Sequence, residues 1–289
     1  MVSTPARCRS VVMAHFDPGG GLDAHVLHAL RQYRLHARHL VLVSSSLRTL
    51  PAAARQLVDD FLPRANEGYD FANWQAGLRR LNPGDFDEIV CVNDSVYGPL
   101  FDLGPALSAP QVAEADLWGM VLSDQSPRPA GRRHRPHVQS WFFGMRRRLI
   151  AAPAFEQFWE SVRPLPTKLD VIDRFEVGMS EHFARDGFRL AGVYDARTAA
   201  PLSVVELWPH VGLRSPARSW RLVRKASRTT HNPSELTWWR LLDAGVPFVK
   251  VSLFRHNHYG VDLQRTVAEL CRRDPRLVGL IHDHLARCG

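Results

Sequence analysis

Glu88-Ile89-Val90-Cys91-Val92-Asn93-Asp94-Ser95-Val96-Tyr97-Gly98-Pro99-Leu100 decides the fold class. The apolar run at 89–92 has the length and composition of a buried strand, and Tyr-Gly-Pro turns the chain after it. Upstream lie two more short apolar runs, at 9–15 and 39–43. Between them, Leu22, Val26, Leu30 and Tyr33 fall at helical spacing over 22–34. Residues 51–61 are expected to form a second helix, and 70–81 a third that Asn82-Pro83-Gly84 stops. This βαβαβ order predicts an α/β fold, a mixed and mainly parallel sheet flanked by helices. In such sheets ligands bind beyond the carboxyl ends of the strands. Asp94 is therefore the first candidate site residue, unless Asn93 and Asp94 serve only to build the turn.

Downstream, strands are expected at 116–121, 137–145 and 188–194, and helices at 154–162 and 170–186. Strict alternation over 137–145 would put Gln139, Trp141 and Phe143 on one face and Ser140 and Phe142 on the other. The helix at 170–186 carries Asp173, Glu176 and Glu181, and Gly187 follows as a C-cap. Asn232-Pro233-Ser234-Glu235 is a helix start with a capping side chain and a proline at the first helical position. That helix should reach Gly245, with 247–254 extended after it and helices at 263–272 and 276–288 closing the chain. The expected organisation is a core over residues 1–200, then a basic connecting segment and C-terminal helical extension over 201–289.

The chain has 289 residues, 45% of them hydrophobic, enough to bury a sizeable core. Its net charge is +8, carried mainly by arginine, which suits a polyanionic partner or a phosphate-bearing substrate. Arginines cluster at 128–135 and again at 214–228. Zinc-finger spacing, a basic region with heptads and an aromatic RNA-binding motif are all missing, so nucleic acid is the least favoured partner. Cys8, Cys91, Cys271 and Cys288 form no Cys-x-x-Cys pair, which argues against a disulfide framework. Without a run of about 18 apolar residues, no membrane-spanning helix is expected. A cytoplasmic location is expected, with peripheral attachment to an anionic inner-membrane face compatible with the charge. Gly19-Gly20-Gly21 lies between a strand and a helix, where a phosphate could meet a helix N-terminus, but it lacks the spacing of a dinucleotide or P-loop motif and a turn is the favoured reading.

Several pieces, in order, carry a resemblance. They are Asn66-Glu67-Gly68-Tyr69-Asp70-Phe71, Gly77, Asp87-Glu88, Asn93-Asp94-Ser95-x-Tyr97-Gly98-Pro99-Leu100, Trp118-Gly119 and Gln139-Ser140-Trp141-Phe142. Phe155-x-x-Phe158-Trp159, Phe175-Glu176-Val177-Gly178-Met179-Ser180-Glu181, Pro247-Phe248-Val249-Lys250, Arg255-x-Asn257 and Tyr259-Gly260-Val261 continue the series. Together they resemble the rhamnan synthesis F family of bacterial cell-surface polysaccharide genes, over most of residues 10–262. The resemblance implies an A-type glycosyltransferase, with the nucleotide-diphosphosugar-binding form of the α/β fold. Its partners would be a nucleotide-sugar donor, carrying rhamnose or another hexose, and a growing polysaccharide or lipid-linked glycan acceptor.

On this chain Asn66 and Gly68 match the family's turn before a helix. Asp94 stands where an Asp-x-Asp element is expected, and Glu176 where the catalytic base is expected, which would make the transfer inverting. His15, Asn66, Gly68, Asp70, Asn93, Ser95, Gln139 and Ser140 are the candidate donor-binding residues. The strand end here carries one carboxylate rather than two. A divalent cation, Mg²⁺ or Mn²⁺, would rest on Asp94, with His256 and His258 as further candidate ligands. Arginines of the 128–135 loop could instead neutralise the diphosphate. The single carboxylate also leaves room for a non-catalytic glycan- or partner-binding protein of the same fold.

Overall fold

The computed structural model describes residues 7–124, 135–211, 220, 222 and 231–288. Its strands are β1 (Arg9–His15), β2 (His39–Ser44), β3 (Asp60–Pro63), β4 (Glu88–Asn93), β5 (Val96–Tyr97), β6 (Leu117–Ser123), β7 (His137–Val138), β8 (Phe142–Arg146), β9 (Leu190–Asp195) and β10 (Val249–Lys250). The main sheet runs β3-β2-β1-β4-β8-β6-β7, with β9 on the other side of β6. The β3–β2, β2–β1, β1–β4 and β6–β9 pairs are parallel, and β8 enters antiparallel between β4 and β6. The expected mixed, mainly parallel sheet with flanking helices is therefore present. β5 and β10 form a separate antiparallel pair.

The period-2 alternation of strand side chains sorts the core into two layers. Val11, Met13, Leu40, Leu42, Val90 and Val92 face the helix Ala24–Arg34 through Val26, Ala29, Leu30 and Tyr33. Val12, Ala14, Val41, Val43, Ile89 and Cys91 face the helices Tyr69–Leu78 and Pro153–Glu160. Cys91 is a fully buried small hydrophobe, as expected, and burial pushes its thiol up. A third apolar cluster joins Tyr97 and Leu100 to residues between Leu202 and Ile281.

Three sequence expectations are corrected. Residues 51–61 are not a helix: only Ala52–Ala54 makes a single 3₁₀ turn, and β3 follows. Asp59 turns its carboxylate to the Leu40 amide at 2.7 Å, so the chain is drawn onto the open edge of β2. Residues 137–145 are not one strand. Between the pairs Leu122↔Val138 and Gly119↔Phe143, three steps along β6 face five on the other chain. The two extra residues form a bulge, which re-aims side chains. Trp141 and Phe142 accordingly fall in the first core layer and Phe143 in the second, against simple alternation. Finally, 247–254 is extended only through β10, and Val251–Arg255 is helical.

Two smaller differences follow from local chemistry. The expected 233–245 helix is broken at Thr237 into Pro233–Leu236 and Trp238–Asp243. The helical run from Lys168 to Arg185 is continuous but widens to a π-helix over Ile172–Val177. Among the described residues no helix is long and apolar enough to cross a membrane.

Candidate active site

The strand order reverses between β1 and β4: from β1 the chain steps outward to β2 and β3, then returns to place β4 on the other flank. Such a switch point opens a crevice at the carboxyl ends of the strands. A cleft of about 650 Å³ lies there, lined by His15, Ser45, Asn93, Asp94 and residues of later elements. Its volume falls in the usual range of ligand sites, about 300–1,000 Å³.

β4 ends in a compact network. Asn93 Nδ2 donates to Asp70 Oδ2 at 2.8 Å, and Asn93 Oδ1 accepts from the Ser95 amide at 3.1 Å and from its hydroxyl at 2.6 Å. Asp94 Oδ2 accepts the Phe16 amide across the switch point at 2.7 Å. Burial and the neighbouring charge of Asp70 push the Asp94 carboxyl up to about 8. Asp70 is also raised, mainly by burial, against the stabilising bond from Asn93. Asp70 lies in the first turn of the helix Tyr69–Leu78, which Gly68 enters with φ +77°. A Cβ at Gly68 would sit 2.7 Å from Ala72 Cβ, so both space and backbone favour glycine. Tyr69 also has a positive φ, +55°, an unusual conformation for a bulky residue, and lines the cleft. Asn66 is exposed at the rim.

Opposite stands Glu176, on the π-helical stretch. π-Bulges recur at functional sites because they displace one residue from the helical register. Glu176 Oε2 accepts the Ser140 amide at 2.9 Å and its hydroxyl at 2.5 Å, and His137 Nε2 lies 3.9 Å from Oε1. The bulge at 139–141 therefore delivers Ser140 to the carboxylate. Gln139 is buried and committed elsewhere. Its Oε1 accepts from Trp141 Nε1 at 2.9 Å and Ser234 Oγ at 2.5 Å, and its Nε2 donates to Asn232 Oδ1 at 3.1 Å. His15 is buried too, 2.9 Å from Ser44 Oγ, and desolvation lowers it to about 4.

Lys250 was not singled out as a site residue by the sequence, yet it enters the cleft from β10. Its ammonium donates to Ser95 Oγ at 2.9 Å and sits 5.6 Å from the Trp141 ring centre. Burial lowers it to about 8, while Glu176 works to keep it charged. The available signal was a lone lysine inside the apolar run Pro247-Phe248-Val249-Lys250-Val251.

The other sequence candidates divide. His256 and His258 are exposed, line the same cleft and have ring centres 5.4 Å apart. Among the described residues, the metal-capable group whose ligand atoms lie mutually within 4.8 Å is Asp23, His25 and His284; Asp94, His256 and His258 do not form one. Arg135 is held by Asp173 and Glu181 rather than facing open solvent. Arg128, Arg132, Arg133 and the 214–228 arginines lie outside the described residues. The Gly19 and Gly21 amides are taken by Asp17, at 3.2 and 2.7 Å, so the glycine turn is a closed local structure.

Fold and cleft together define an α/β protein with a cleft lined by charged side chains at the switch point of a mainly parallel sheet. The chain belongs to the rhamnan synthesis protein F family, whose family model matches residues 40–206. It is 26% identical over 230 residues to virulence protein VirA of Vibrio anguillarum, covering 73% of this chain and 68% of that protein. Solved structures with a similar layout include S. aureus TarS 1–349 in complex with UDP and the galactosyltransferase LgtC with donor and acceptor sugar analogs. The TarS overlap has a TM-score of 0.42 at 10% identity, covering 98% of this chain and 92% of that one. For LgtC the TM-score is 0.36 at 12% identity, covering 82% and 94%. Overlaps this loose place no residue and no ligand.

Proposed function

We propose that this protein transfers a sugar from a nucleotide-sugar donor to a hydroxyl of a cell-surface glycan or lipid-linked acceptor, with inversion at the anomeric carbon. The observation that carries the reading is the convergence, in one cleft at the switch point, of Glu176 with Lys250 and the Asp70–Asn93–Asp94 network. Membership of the rhamnan synthesis protein F family supports a sugar substrate.

In this reading the acceptor oxygen attacks the anomeric carbon as the bond to the diphosphate breaks. Glu176 takes the hydroxyl proton, and the Ser140 amide and hydroxyl hold its carboxylate in place. The Lys250 ammonium faces the charge that develops on the leaving diphosphate, in a site dry enough to strengthen the contact. Asn66, Gly68 and Tyr69 shape the donor rim, and Ser95 keeps Lys250 oriented. Asp94 and Asp70 offer hard oxygen ligands close enough for the charge of Asp70 to act on Asp94, and a Mg²⁺ or Mn²⁺ ion held there would replace the proton that Asp94 otherwise keeps. Such an ion would neutralise the donor's phosphates. Gln139 acts as a brace for Trp141 and Asn232 more than as a sugar contact.

Glu176→Gln tests the assignment. It keeps the Ser140 contacts but loses basicity, so donor binding should persist while turnover falls by about 10²–10⁴-fold. Binding is read from the rise in thermal stability with a panel of nucleotide sugars, with and without Mg²⁺ or Mn²⁺. Full turnover in the variant would remove Glu176 from the mechanism. The single carboxylate at the strand end favours a second reading, a non-catalytic glycan- or partner-binding protein. Donor binding without turnover by the unmodified protein, across many acceptors, would select it.

A further inference from the structure

We propose that Asp23, His25 and His284 bind a divalent transition-metal ion at a site distinct from the Asp94 strand end. Asp23 stands at the N-cap position and His25 in the first turn of the helix Ala24–Arg34, and His284 comes from the helix Pro275–Cys288. One ligand atom of each lies within 4.8 Å of the other two. Two imidazoles and one carboxylate select ions such as Zn²⁺ or Co²⁺ over Mg²⁺, which prefers oxygen. The residues are far apart in sequence, so no motif announces them.

Independent observations support the site. His25 is 4% exposed, yet its Nδ1 is buried without a hydrogen-bond partner. Buried polar atoms nearly always have partners, so an orphan calls for an explanation. His284 is already aligned: its Nδ1 lies 2.6 Å from Tyr97 Oη, and its Nε2 faces Asp23 Oδ2 at 3.4 Å. Metal-ligating histidines usually donate their second nitrogen to such a partner. An ion would select the tautomer in which Nδ1–H donates to Tyr97 and the Nε2 lone pair points inward. Cys288 Sγ lies 3.3 Å from the same Nε2 but is not part of the three-residue group.

Two carboxylates and two guanidiniums surround the group. Arg287 donates to both carboxylate oxygens of Asp23, to Oδ1 at 2.8 Å, and to Asp17 Oδ1 at 3.0 Å. Arg255 also acts on His284, so an ion would have to take the place of Arg287 at Asp23. Because Asp23, His25 and His284 all line the main cleft, open coordination positions would face it. The inference does not depend on the sugar-transfer reading.

The test uses the full chain stripped of metal with a chelator, then titrated with Co²⁺ and Zn²⁺ without any nucleotide. One equivalent of Co²⁺ should bind with visible d–d absorption, Zn²⁺ should displace it, and apparent stability should rise. His284→Gln and His25→Ala should each weaken binding at least tenfold, with circular dichroism confirming that they fold. His256→Ala should bind like the unmodified chain. Absence of stoichiometric binding would overturn the proposal. So would binding unchanged in folded His284→Gln, or binding lost in His256→Ala and kept in His284→Gln. If His25→Ala does not fold, His284→Gln and Asp23→Asn carry the decision.

Discussion

Asp94 shows how a single residue acquires its chemistry from its surroundings. An aspartate at a strand end is ordinary in sequence, but here it is packed beside Asp70 and the Phe16 amide, and its carboxyl is raised to about 8. The folded protein therefore keeps a proton between about pH 4 and 8 that the unfolded chain has released. Stability must fall as pH rises through that window, by at most about 1.4 kcal/mol per pH unit. Asp94→Asn removes this slope. The Tm of the variant relative to the unmodified protein, measured without metal, should climb steadily from pH 5 to pH 8. A difference that does not change with pH would show that Asp94 is not held protonated. Lys250 illustrates the same principle with opposite sign: its burial penalty is relieved as pH rises above about 8.

At the scale of elements, the site depends on close approach and on two irregularities. The helix Tyr69–Leu78, which carries Asp70 to the cleft, lies against β1 and β2 at Gly77. A Cβ there would meet Val12 Cγ1 at 2.4 Å and Val43 Cγ2 at 3.0 Å. Gly77→Ala should destabilise the protein by about 1–3 kcal/mol through overpacking, despite the better helix propensity of alanine. Urea midpoints would measure this, and a stabilised variant would contradict the packing argument. The irregularities are the bulge at 139–141 and the π-helical Ile172–Val177, which meet through Ser140 and Glu176. Neither was legible in the sequence. Alternation and helical periodicity describe regular elements, and both irregularities lie where side chains of distant segments meet. The 51–61 stretch departs from the expected helix for a related reason: pairing with the edge of β2 outweighs local helix propensity.

For the whole molecule, the chain's end closes back on its beginning. The C-terminal helix Pro275–Cys288 buries Leu277, Val278 and Ile281 and reaches the helix Ala24–Arg34 through the Arg287–Asp23 pair. Burial of three such side chains is worth about 1.5–3 kcal/mol each. Removing residues 275–289 should therefore cost roughly 5 kcal/mol or more, comparable with the whole stability of many domains. The truncated chain should be largely unfolded or aggregated, as read by circular dichroism and sedimentation. A truncated chain that kept an unchanged melting temperature would show the helix to be an appendage.

The sequence by itself determined the parallel strand–helix alternation and placed Asp94 and Glu176 as candidates. Strand apolarity and helix spacing are local signals, and ordered motifs survive without geometry. Only the tertiary structure decided which charges meet. It brought Lys250 from β10 beside Ser95, set Ser140 against Glu176, and gathered Asp23, His25 and His284 from the two ends of the chain. Those pairings depend on which segments the sheet order and the closing helix bring together. The energy that fixes them is the burial of distant apolar faces, which a reading confined to neighbouring residues does not contain.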